Sequence, residues 1–269
     1  MEGAQGARAQ GLPPVNTVGI AEPFRWLADG WRDLWAAPLP CLLYGLAVTA
    51  LSVGLLVLIV ATNIAFWVLA LTCGFVFIAP MLAMGLYEAG RLIEQGERPR
   101  FSQMLCVCAA VRTDVAYLGL ALLLIYIFWG RAAQLVYGLS TYTLHTTIPE
   151  FFAFAVGTED GLNMLMAGSI VGGALAFLTY ALVVVSAPML LDQKTGVFAA
   201  TATSVRAVST NLPAMVLWAL IIVVLLALSA ATGFIALIVV FPWLGLASWR
   251  AYRGLVRDGA GPRVAAPAA

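Results

Sequence analysis

Charged side chains are scarce in this chain, with 14 Lys+Arg and 13 Asp+Glu among 269 residues, or 10%. An average soluble domain carries about 25%. Charge is wholly missing from Leu34–Tyr87, Val115–Gly130, Gly161–Leu191 and Ala207–Trp249. Crossing a bilayer takes about 20 apolar residues, so three of these runs can cross once, and the first and last can cross twice. A water-soluble fold is excluded. Histidine is nearly absent, and the single His145 cannot supply the several imidazoles that haem and copper ligation require. Four cysteines, Cys41, Cys73, Cys106 and Cys108, are too few for a disulfide framework and read as small apolar residues. There is no Ser/His/Asp set, nucleophile elbow or phosphate loop. No ionisable group lies deep in a span, unless the third continues past Arg131, which argues against proton-coupled transport. A net charge of +1, without a basic cluster interleaved with aromatics, gives no case for nucleic acid. The expectation is therefore a protein that is not an enzyme, with no catalytic residues, no cofactor and no metal.

What is present is an all-α, polytopic membrane bundle. Met1–Val15 lacks the apolar core of a signal peptide, so the first apolar run is expected to stay as a helix. Dividing the charge-free runs at their breaks predicts six spans, about 39–60, 63–87, 115–130, 163–191, 213–229 and 233–249. The short links after the first and fifth spans make each pair an antiparallel hairpin. This membrane domain is expected over 22–254, between disordered cytoplasmic termini at 1–21 and 255–269. Thirteen of the fourteen basic residues fall on the side that holds both termini, and only Arg131 falls on the other. The positive-inside rule then makes both termini cytoplasmic. Arg131 follows Tyr126 and Trp129 and reads as an interfacial arginine extending its head to water, the alternative being an arginine that faces a cavity and binds an anion, which requires the span to continue through Gly138 with Arg131 at depth.

A repeat is legible. Pro80-Met81-Leu82 closes the second span, Pro188-Met189-Leu190 the fourth and Pro242-Trp243-Leu244 the sixth. Each proline removes a backbone donor, so a kink is expected about three to four residues before it. About three units of interfacial helix plus helical hairpin account for the chain. The interfacial helices are expected at Glu22–Trp35, Phe101–Val111 and Val197–Ser209, the first with Phe24, Leu27, Trp31, Leu34 and Trp35 on its apolar face. Trp26, Trp31 and Trp35 are the interfacial tryptophan candidates. Gly168–Gly172 is a small-xxx-small pair suited to a close helix seam. In the outer loop, Pro149 and Glu150 open a short apolar helix, and His145 with Glu150, Glu159 and Asp160 matches no metal-ligand spacing. Met81, Met84, Met104, Cys106 and Cys108 lie near the inner face, but without a Cys-x-x-Cys pair the methionines read as gap fillers.

Two blocks carry a resemblance to a known family. One is Pro80-Met81-Leu82, Gly85-Leu86-Tyr87, Arg91-Leu92, Glu94, Gly96-Glu97 and Pro99, and the other is Pro188-Met189-Leu190-Leu191-Asp192, Ser204, Asn211 and Trp218. The chain resembles a bacterial integral-membrane family catalogued as a domain of unknown function, some of whose members carry the label cytochrome c oxidase subunit I. The resemblance implies a multi-pass protein of the bacterial inner membrane and brings no catalytic residues. With one histidine, the oxidase label cannot mean the catalytic subunit. The leading expectation is a non-catalytic accessory, assembly or interaction protein, in contact with the lipid bilayer and with another membrane complex or a second copy of itself. The alternative is a permease or a lipid- or small-molecule-handling protein using a vestibule below Pro80, Pro188 and Pro242.

Overall fold

The computed structural model describes residues 12–62, 79–107, 113–143, 145 and 147–256. Its elements there are helical: α1 (Glu22–Ala36), α2 (Pro38–Thr62), α3 (Met84–Glu94), α4 (Phe101–Leu105), α5 (Thr113–Ser140), α6 (Ile148–Gly157), α7 (Glu159–Val183), α8 (Ser186–Asp192), α9 (Val197–Thr210), α10 (Leu212–Ala231) and α11 (Leu237–Leu255). Four stretches are long and apolar enough to cross a membrane: Pro38–Leu58, Thr113–Ser140, Glu159–Asp192 and Leu212–Ala231. The expected second span lies mostly outside the described residues. The expected sixth is α11, which runs on through Arg250 and Arg253 to Leu255.

The packed core does not sit midway along the long helices. It gathers at the end where both described chain ends lie, in a basal layer built from α1, α3, α8, α9 and the close of α11. Trp218, Trp249, Tyr252, Met189, Leu190, Met215 and Leu246 are each under 2% exposed there. By contrast, the most apolar windows of the four long helices are only 22–28% buried. That division follows from the solvent. Between spans, lipid tails satisfy leucine as well as a neighbouring helix does, whereas the basal layer meets water and must pack.

The first expected interfacial helix is present as α1, but its faces differ from the periodicity reading. Trp26, Gly30, Asp33 and Leu34 are buried against the protein, Phe24, Trp31 and Trp35 are exposed, and Arg25, Asp29 and Arg32 form a third, charged face. At 100° per residue these three faces are about 120° apart, so one helix carries a buried, an exposed apolar and a charged face at once. Trp26 is thus a core residue, packed edge-on against Trp218 at 5.8 Å, and not an interfacial one. Gly30 lets α1 lie against α11, since a Cβ there would stand 2.6 Å from the Ala247 amide nitrogen.

Other boundaries also move. The helix expected over Phe101–Val111 ends at Leu105, and residues 108–112 lie outside the described ones. Residues 12–21, expected within a disordered terminus, include an ordered segment at 15–18. Val15 forms an antiparallel bridge with Val256, and the Asn16 amide donates to the Leu255 carbonyl at 2.8 Å. Buried Asn211 holds this strap, accepting from the Val18 amide at 2.7 Å and donating to the Asn16 carbonyl at 2.9 Å.

The third expected span, 115–130, is a 28-residue helix that continues through Gly138. It stops short in the charge-free reading because Arg131 interrupts the apolar run, yet a single arginine does not end a helix. At 1.5 Å per residue Arg131 lies about 26 Å along the axis from Asp114, near the far edge of a ~30 Å hydrocarbon layer. It is exposed and donates to Gln134 at 3.0 Å. Trp129, read as part of an interfacial belt, is instead 5% exposed. Its ring lies against Gly172 of α7, where a Cβ would come within 2.8 Å of the indole. The small-residue stripe therefore receives a tryptophan here, while Gly168 faces open space.

Candidate functional site

The three prolines organise the fold in different ways. Pro188 breaks the fourth span as its position demands, and α7 gives way to α8 at Val184–Val185, three to four residues earlier. Ser204 of α9 fills the break. Its hydroxyl donates to the Ala181 carbonyl at 2.7 Å and accepts from the Val185 amide at 3.1 Å, bridging two groups that an unbroken helix would pair directly. Ser204 is fully buried. Ser204→Ala is expected to cost about 1–2 kcal/mol by leaving both groups without the bridge. Faster hydrogen exchange at the Val185 amide checks it.

Pro242 sits inside α11 and cannot donate to the carbonyl of Ile238. Gly45 of α2 packs onto that same carbonyl, and a Cβ at Gly45 would lie 2.0 Å from its oxygen. Pro80 follows residues outside the described ones, so its expected kink cannot be placed there. The proline itself is half-buried and lines a cavity.

Charge concentrates in the basal layer. Arg250 forms a two-pronged pair with Asp33, Nε to Oδ2 at 2.6 Å and the terminal nitrogen to Oδ1 at 2.7 Å. Arg253 meets Glu94 at 3.1 Å and Asp192 at 3.5 Å. Tyr252 donates to Asp192 at 2.8 Å, and the Trp249 indole donates to Glu94 at 3.1 Å. The hydrogen bonds it donates to Asp33 raise Arg250 above the usual guanidinium range despite its burial. Burial, then the charge of Asp192, raises the Tyr252 phenol, which stays a donor at neutral pH. The end of α11 is thus tied to α1, α3 and α8 by groups that consume one another. This is a clamp between four elements. Arg25 with Glu22, Arg32 with Asp29, and Arg91 with Glu88 are paired likewise within their own helices. Among the described residues Arg98, Arg100, Lys194 and Arg206 have no ion-pair partner.

The outer loop holds the expected helix as α6, capped by Thr147 and Glu150 and opened by Pro149. His145 is not freely solvated. It stacks on Phe154 at 4.5 Å and its Nδ1 lies 3.0 Å from the Tyr137 hydroxyl. Among the described residues no three His, Cys, Asp or Glu side chains gather as a metal site. Cys41 is buried and Cys106 exposed, both as free thiols, while Cys73 and Cys108 lie outside the described residues.

The remaining candidate is a cavity of about 180 Å³ between residues 79–87, α7, α10 and α11. Its walls are mainly apolar, from Pro80 and Ala176 through Leu226 and Phe241. Thr179 and Tyr180 also line it, but their hydroxyls are held by the Leu175 and Met215 carbonyls, each at 2.8 Å. Sequence reasoning pointed to Pro80 but missed Tyr87, Thr179 and Ser248, whose common depth no single helix reveals.

The motif residues that are described thus act as ties and packing: Ser204 in the broken span, Asn211 on the strap, Glu94 and Asp192 in the clamp, Trp218 against Trp26. No curated protein and no solved structure matches the chain. Residues 67–192, which end at the clamp's Asp192, match the family described as "Predicted integral membrane protein (DUF2189)", a domain of unknown function within a chain that is an integral membrane protein.

Proposed function

We propose that this is a six-span protein of a bacterial inner membrane, with the basal layer and both termini cytoplasmic, built as about three repeats of interfacial helix plus hairpin. It acts as a non-catalytic accessory, assembly or interaction protein for another membrane complex, and the family's oxidase label makes a respiratory oxidase the first partner to test. The six-span count is supported by α2 leaving the basal layer while α3 lies in it, which calls for a return crossing between them. Orientation is supported by the four unpaired basal cations, against Arg131 at the far end.

The observation that carries the accessory role is the contrast between a clamped, closely packed base and long helices that bury about a quarter of their windows. Such a molecule holds its base rigid and presents wide helical faces sideways. Purification from native membranes in mild detergent tests it. A stoichiometric membrane partner is expected, and recovery as a lone species would overturn the role. A second reading, lipid or small-molecule handling, is favoured by the cavity beside Pro80. The packed basal layer beneath it fits retention better than passage.

A further inference from the structure

We infer that the cavity between residues 79–87, α7, α10 and α11 holds one acyl chain of a phospholipid from the basal-side leaflet, with Tyr87 donating to that lipid's ester carbonyl. The inference deepens the second reading above and does not require a protein partner. Two independent observations carry it.

The first is the order of the lining along the membrane normal. On residues 79–87 it runs from Pro80 to Tyr87, next to the charge of Glu88, and on α11 from Phe241 to Ser248, two residues before Arg250, each going from an apolar residue to a hydroxyl near the basal charges. α7 enters from the opposite end and lines the cavity with Ala176, Thr179, Tyr180 and Val183, its two hydroxyls already held by carbonyls, so the order rests on the other two segments. Polar at ester depth and apolar below is the profile of a lipid tail entering from its own leaflet. A water-soluble ligand would meet the opposite order, and the clamped base would bar its way.

The second observation is Tyr87 itself. It is 6% exposed, lines the cavity, and its hydroxyl has no hydrogen-bond partner among the described residues. The Ser248 hydroxyl, from another residue of the lining, has none among the described residues either. Buried tyrosine hydroxyls usually find an acceptor, and here the cavity is where one can stand. A volume of about 180 Å³ equals roughly six liquid-water volumes, enough for a short length of acyl chain with the remainder in the bilayer.

The test is photolabelling of the full chain in vesicles of phosphatidylethanolamine and phosphatidylglycerol, doped with phosphatidylglycerol bearing a diazirine on one acyl chain. Cross-links are mapped by peptide mass spectrometry. Labelling at Ala176, Leu226 and Phe241 is expected to exceed that at the exposed α5 residues Leu120 and Leu124 by about tenfold, because a held chain stays while bulk lipid exchanges. Equal labelling of the two surfaces would overturn the inference. Ala176→Phe, which fills the cavity, is expected to abolish the excess while leaving the α5 labelling intact. Should that variant fail to fold, Tyr87→Phe decides the ester contact, with an expected drop of about threefold for one neutral hydrogen bond. Undiminished labelling in Tyr87→Phe, or equal labelling by a diazirine fatty acid, would overturn the assignment to the phospholipid ester. None of these outcomes depends on whether a protein partner is recovered, so failure here and failure of the accessory role are separable.

Discussion

Gly45→Ala is expected to be severely damaging for a single added methyl, costing about 3 kcal/mol or more and removing most of the monodisperse protein recovered in mild detergent. The reason is local and two-sided. Pro242 takes the hydrogen-bond donor away from the Ile238 carbonyl, and α2 answers by bringing a glycine against that oxygen. The Cα hydrogens of Gly45 are then the neighbours the carbonyl has, a contact of the weak C–H···O kind. A Cβ placed 2.0 Å from a backbone oxygen cannot be relieved by a rotamer change, so α2 and α11 must separate.

The cycle with Pro242→Ala isolates the cause. Restoring an amide at residue 242 lets it bond the Ile238 carbonyl and draw that oxygen back toward the helix axis. The double variant should therefore lose clearly less than the sum of the singles, as read by thermal unfolding followed by size-exclusion chromatography. Additive losses would show that Gly45 and Pro242 act separately.

The second large effect is expected at Asp33. Its carboxylate side chain is 8% exposed, and the Arg250 guanidinium that grips it with two hydrogen bonds is 27% exposed. Asp33→Ala leaves a partly desolvated guanidinium without its acceptor, an expected loss of about 2–3 kcal/mol, toward the lower end for buried pairs because Arg250 retains some water. Replacing both partners, Asp33→Ala with Arg250→Leu, is expected to recover a substantial part of that loss, since no buried charge then remains. Thermal melts in detergent read the difference. Equal destabilisation of the single and the double variant would mean that the pair holds α1 to α11 mainly through packing. Arg253 with Glu94 is more open and is expected to matter less.

How much of this was legible beforehand depends on the range of each signal. The break ahead of Pro188 follows from one residue's missing donor and is local, so it could be read directly. The capped α6 helix is local in the same way, because Thr147, Pro149 and Glu150 lie within one turn. The faces of α1 were misread because apolarity alone cannot say whether a tryptophan meets lipid or protein. Trp26 is chosen for the core by Trp218, nearly the whole chain away. Helix α5 looked short because a charge ends an apolar run without ending a helix, and Arg131 sits exposed on the side of an unbroken one. The contacts of His145 were not legible because its partners Tyr137 and Phe154 lie in different helices.

By itself, then, the sequence determined the medium and the helices. Charge-free runs long enough to cross a bilayer leave no soluble alternative, since backbone groups in hydrocarbon must be paired within helices. The tertiary structure decided what the motif residues are for. Ser204, Asn211, Glu94 and Asp192 bond backbone or charge on other elements, and Gly45 answers a proline in another span. The cavity was likewise hidden, because Pro80, Tyr87, Thr179 and Ser248 come from separate stretches and share a wall only once the helices are packed. Composition and periodicity report what one helix buries, and a site between helices exists only in their relative placement.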